Sequence, residues 1–132
     1  MDKVLLVFLG GGIGSVLRYL LQLWLNSPTP ADRVVWAWGS LTANVLGCAA
    51  AGALVGLAST RLALDEHARL LLSVGILGGF TTFSAMAGEA LRLGEQSSAR
   101  AAGYVAASNV LAIGAAWGSY AIVRTLLHAR SP

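Results

Sequence analysis

Charge, cysteine and proline are all scarce in this chain, and each shortage removes a class of explanation. Only 11% of the 132 residues are charged, three are proline, and Cys48 is the one cysteine. A lone cysteine excludes an internal disulfide and a multi-cysteine metal site. No acid lies between residues 34 and 58. Nowhere does the chain pair an acid with a base, a nucleophile with a base, or metal ligands with one another; His67 and His128 are expected in a loop and a tail. That leaves no chemistry for an enzyme. The basic residues give a net charge of +3 but are scattered over loops and ends. Such a distribution fits lipid headgroups and not nucleic acid.

What the chain has in abundance is apolar sequence. Hydrophobic residues make up 56% of it, and the mean hydropathy is +0.69. Four long apolar stretches, at 4–26, 34–58, 70–91 and 101–127, can each cross a hydrocarbon core that needs ~20 helical residues. Almost nothing remains for a soluble domain, so residues 1–132 are expected to form a single all-α, four-helix transmembrane domain. The first stretch outlasts the apolar core of a signal peptide and lacks a small-residue cleavage site before Ser27-Pro28, so it reads as a retained helix. Short polar punctuation is expected at Ser27-Pro28-Thr29-Pro30, in a charged loop from Ser59 to His67, and at 94–98. Trp24, Trp36, Trp38 and Trp117 read as interfacial anchors near helix ends.

The third stretch is not uniform. Residues 75–86, Gly-Ile-Leu-Gly-Gly-Phe-Thr-Thr-Phe-Ser-Ala-Met, are rich in glycine and hydroxyls where a membrane helix is normally most apolar. Backbone groups freed at that depth are tolerated only if buried in protein or lining a polar cavity. A central break, and with it a site, is expected there. Pairs of small residues four apart, Gly10/Gly14, Gly52/Gly56, Gly75/Gly79 and Gly114/Gly118, allow close helix contact. Four helices so packed leave no hole, so a path for solutes would run between copies, and a homodimer is the simplest closed assembly. With four spans, Lys3, Arg61, Arg69, Arg124 and Arg130 fall on one side against Arg33, Arg92 and Arg100 on the other, with Arg18 ambiguous. So even a balance orients a chain weakly, and insertion in both directions is expected.

The polar groups within the stretches are neutral. Ser40 and Asn44 share one helix face, Tyr104 and Ser108 share another, and Thr81, Thr82 and Ser84 occupy the break. Glu89 lies toward the end of its span. Amide and hydroxyl donors without a fixed charge suit a small anion better than a cation. Each residue also has a plainer role: Asn44 as interhelical glue worth ~0.6 to 2 kcal/mol, the serines bonding their own helices, Tyr104 as an anchor, Phe80 and Phe83 as packing. Arg18 either snorkels to an interface or charges a vestibule.

These residues converge on a family. The chain resembles the Fluc (CrcB) fluoride channels through Gly11-Gly12-Ile13-Gly14-Ser15-Val16-Leu17-Arg18-Tyr19, Gly39-Ser40-Leu41-Thr42-Ala43-Asn44 and Gly75-Ile76-Leu77-Gly78-Gly79-Phe80-Thr81-Thr82-Phe83-Ser84. The similarity covers essentially the whole chain. It implies an antiparallel dual-topology homodimer in a prokaryotic cell membrane, the inner membrane in a Gram-negative cell, releasing cytoplasmic fluoride through two pathways. It also implies a pathway with Asn44, Phe83, Ser40, Tyr104 and Ser108, Arg18 toward the entrance, and a structural sodium held by the backbone carbonyls of Gly78 and Thr81 from both subunits. Fluoride is tightly hydrated, so close donors must replace its water, and the positive edge of a phenyl ring adds to them.

Two positions depart from that pattern. Met86 stands where the family commonly repeats phenylalanine, and Ala112 replaces a polar residue four after Ser108. Met86 is expected to take the missing ring's place on the path, its thioether adapting to the cavity. The competing readings are a four-span proton-coupled exporter, which needs an embedded acid that residues 4–26 lack, and a non-conducting membrane scaffold.

Overall fold

The computed structural model describes residues 2–26, 37–59 and 64–129. The turn at 27–30, Trp36, and Arg33, Arg61 and Arg130 of the charge balance lie outside the described residues. Four helical stretches are long and apolar enough to cross a membrane: Asp2–Leu25, Trp38–Ala58, Glu66–Gln96 and Ser98–Leu127. The first two are single helices, α1 (Asp2–Leu25) and α2 (Trp38–Ala58). The third is composite: α3 (Glu66–Arg69), a π-helical segment (Leu70–Leu77), α4 (Gly78–Phe80) and α5 (Phe83–Gln96). The last is the long α6 (Ser98–His128).

Polar contacts fix the relative directions of the spans. Lys3 Nζ pairs with Glu66 Oε1 at 2.8 Å, joining the starts of the first and third spans. Gly39 N–H donates to Asn26 Oδ1 at 3.1 Å where α1 ends and α2 begins. Tyr104 on α6 meets Glu89 on α5. Consecutive spans therefore run in opposite directions, α2 packing most extensively on α6 and α1 on the π-helical segment.

Two expected connections are shorter than the sequence implies. Glu66, His67 and Arg69 belong to a helix and not to the charged loop, because Asp65 Oδ1 accepts the Ala68 N–H at 2.7 Å and caps it. Residues 94–96 remain helical, and Ser97 alone turns the chain, in extended conformation (φ −164°, ψ 118°). Trp24 and Trp38 do sit at helix ends, but Trp117 lies well inside α6 because that helix runs on to His128.

Glycine sets the closest helix approaches. A Cβ at Gly10 would lie 2.9 Å from Gly75 Cα, and one at Gly14 would collide with the Ile76 carbonyl. Gly52 likewise admits the Ala116 backbone of α6, whereas Gly114 and Gly118 face open space. Three of the four glycine pairs thus carry packing, and the last does not do so within this chain. Gly14→Ala should cost about 1–3 kcal/mol by overpacking, while Gly114→Ala should stay within about 0.5 kcal/mol. Thermal unfolding of the two variants in detergent checks the contrast, and equal effects would sink the seam.

Candidate functional site

Between α4 and α5 the backbone leaves the helix for two residues. Thr81 (φ −80°, ψ 153°) and Thr82 (φ −153°, ψ 119°) are extended. Asn44 meets this segment edge-on: its Nδ2 donates to Thr82 O at 3.0 Å, and its Oδ1 accepts Thr82 N–H at 2.8 Å. One carboxamide thereby satisfies both polar groups of a residue that has left the helical ladder. Thr82 Oγ1 accepts the Ala85 N–H at 3.2 Å and starts α5 as its N-cap. Thr81 Oγ1 turns back to Leu77 O at 2.9 Å. The approach of α2 needs Gly47, where a Cβ would run into the Thr81 methyl.

A cavity of about 250 Å³ opens beside the break. Asn44, Thr81, Thr82, Phe83, Met86 and Ser108 line it, together with Cys48, Asn109, Ala112 and Ile113. Ser108 Oγ is buried and makes no hydrogen bond among the described residues. Phe83 is 75% exposed, whereas Met86 is 4% exposed and packs in the core with Leu41, Leu93 and Tyr104. Met86 therefore touches the cavity from a packed position and is not free in it.

Ser40 and Tyr104 do not line that cavity. They are fully buried and bind Glu89: Ser40 Oγ donates to Oε1 at 2.6 Å, and the Tyr104 hydroxyl donates to Oε2 at 2.5 Å. Gln22 Nε2 donates to Ser40 Oγ at 2.8 Å, which orients the serine proton toward the carboxyl group. The cavity lining is neutral, and the acidic Glu89 lies outside it, holding two of the hydroxyls expected on the path. Glu89 was legible as an intramembrane acid, and its spacing from Thr82 and Met86 places all three on one face of α5. Its position toward the end of the apolar stretch concealed it.

Arg18 lies apart from both groups. Its Nε donates to Gly79 O at 3.3 Å, with Ser15 Oγ at 3.5 Å from the same oxygen. The guanidinium thus reaches inward to the carbonyls of the interrupted helix. Gly78, one residue earlier, is exposed, with open space where a side chain would stand. Among the described residues no three His, Cys, Asp or Glu side chains cluster to hold a metal.

Four apolar spans, three of which line a cavity carrying hydrogen-bonding side chains, define a small multi-pass membrane protein. A family model described as CrcB-like protein, Camphor Resistance (CrcB), matches residues 5–120. The chain is 43% identical over 129 residues to a protein of Rhizobium etli named Fluoride-specific ion channel FluC, a match covering 96% of this chain and 100% of that one. Proteins of the same name from Rhodospirillum centenum, 39% identical over 130 residues and covering 95% of this chain and 98% of theirs, and from Chloroflexus aurantiacus, 44% identical over 95 residues and covering 70% and 71%, are also similar. The chain belongs to the CrcB family, and these relatives are bacterial.

Asn44 carries a stability consequence that can be measured apart from function. Asn44→Ala would leave the part-buried N–H and C=O of Thr82 unmatched, at up to about 1–3 kcal/mol for each group. A lowered midpoint of thermal unfolding in detergent is the expected result; an unchanged one would show that the break is held by other contacts.

Proposed function

We propose that this protein is a fluoride-selective ion channel, as its relatives are named, and that it releases cytoplasmic fluoride down its electrochemical gradient. The observation that carries the reading is the break pinned by Asn44 beside a cavity lined by hydrogen-bond donors. An amide nitrogen has two N–H groups, and only one of those on Asn44 is given to Thr82. The other, with the Ser108 hydroxyl, is available to an anion stripped of water, and Phe83 and Met86 supply the apolar wall. Ser40 and Tyr104 extend the donor set beyond the cavity, where Glu89 competes for their protons. Arg18 places a positive charge near the break.

The same reading includes an antiparallel dual-topology homodimer with the third span interrupted at its centre. A structural sodium held by Gly78 and Thr81 fits the residues present. The helical donor for Gly78 O, Thr82 N–H, is bound to Asn44, and that for Thr81 O, Ala85 N–H, is bound to Thr82 Oγ1. Both carbonyls thereby lose their helical partners, and oxygen is what a hard cation takes. Two carbonyls from one chain make an incomplete shell, so a second copy is required. When bound, sodium would neutralise these carbonyl dipoles and staple the two copies.

Glu89 is the one observation that favours a proton-coupled exporter, since it is an embedded acid. Liposomes containing only the purified protein separate the readings. Fluoride should leave without a pH gradient while chloride stays, and equal release of both ions, or of neither, would overturn the channel. Asn44→Asp should collapse the flux by repelling the anion at low dielectric. Met86→Ala should reduce it while also loosening the core by about 2–5 kcal/mol.

Orientation is a separate question. Cysteine-accessibility labelling on a Cys48→Ser background should find both orientations in one membrane. Lysines added at the C-terminus should bias the population and lower activity. A single orientation in an active preparation would exclude the antiparallel dimer.

A further inference from the structure

Asn109 is an exposed amide on α6, eleven residues from the helix start, where its neighbours Val110, Leu111 and Ile113 face outward as lipid-compatible side chains. An amide at that depth is costly unless its polar atoms find partners. One N–H finds one: Asn109 Nδ2 donates to Val105 O at 2.7 Å, within its own helix. The second N–H and the Oδ1 remain. Asn109 also lines the cavity beside the break, together with Asn44 and Ser108.

The two amides match in one respect. Each commits a single N–H to a backbone carbonyl, Asn44 to Thr82 O and Asn109 to Val105 O. Each therefore keeps one donor. Ser108, adjacent to Asn109 in sequence, adds a hydroxyl that is 2% exposed and makes no hydrogen bond among the described residues. Further along the same wall come Ala112 and Ile113, which offer nothing to an anion. We propose that Asn109 is a second amide donor of the anion site, acting with Asn44 and Ser108 and supplying the hydrogen bond that Ala112 does not. This rests on the channel reading above.

The test is fluoride efflux from liposomes, with parent, Asn109→Leu, Asn109→Asp and Asn109→Gln compared at matched dimer content. Asn109→Leu keeps the size but removes the donor, and should slow efflux about tenfold or more, the factor a charge-assisted hydrogen bond supplies. Asn109→Asp should do the same, because it keeps the shape and the acceptor but has no amide proton. Asn109→Gln should restore most of the flux. In all three, size-exclusion elution and thermal unfolding should match the parent. Efflux within twofold of the parent in Asn109→Leu would overturn the proposal, and so would a loss in Asn109→Leu and Asn109→Asp that tracks dissociation of the dimer, which would make Asn109 glue. A parent that releases no fluoride would overturn the channel reading, and this proposal with it, and that arm is read on the parent alone.

Discussion

Inside a bilayer no water is available to take up a stray backbone group, so two extended residues in a membrane span exist only if side chains replace the helical ladder. The carboxamide of Asn44 does so for Thr82, matching its N–H and its C=O with one acceptor and one donor. Of the others, Thr82 Oγ1 serves the Ala85 N–H locally, and Arg18 with Ser15 of α1 serves Gly79 O. The Asn44 and Arg18 contacts need α2 and α1 within a few ångströms of the third span. Gly14 and Gly47 permit that, since a Cβ at either would strike the opposing chain. The glycine contacts are therefore the mechanical condition for the break, and the break is the condition for the cavity.

Donor supply then decides what the cavity can hold. A hydroxyl has one proton, and the protons of Ser40 and Tyr104 point at Glu89. Any anion that draws on these two must displace a carboxyl group whose bonds are short. Ser108 has no such competitor among the described residues. The donors thus divide into a free group at the break and a committed group nearer the α5–α6 turn. That division gives the channel reading a direction along α6, from available protons to bound ones.

Much of the frame was legible because apolar length and glycine spacing are direct physical demands of a bilayer. The interruption announced itself through Gly78-Gly79-Phe80-Thr81-Thr82, a run with poor helix propensity and hydroxyls able to cap. Less legible was anything that depended on which side chain finds which partner. Asn44 left glue and pore open from the sequence, and it does the first with one N–H while retaining another. Met86 was expected on a path from its spacing from Phe83, and what the structure shows is its packing with Leu41, Leu93 and Tyr104. Ser97 turning the chain unaided, and Asp65 capping α3, are local hydrogen-bond choices that loop composition does not reveal.

The surface of the single chain is uneven in polarity. Along α5, Ser84, Arg92 and Gln96 are exposed at intervals of helical turns, on an otherwise membrane-spanning stretch. Arg92 and Gln96 lie in the last turn or so of the span, where a long side chain can reach headgroups and water. Along α2 and α6 the opposite holds. There Ala51, Gly52, Val55, Ala116, Trp117 and Tyr120 line an apolar groove of about 370 Å³, separate in its lining from the cavity at the break. At the break itself, Phe83 stands exposed. The proposed dimer, if it covered the exposed Phe83 and the apolar groove, would do more than double the site.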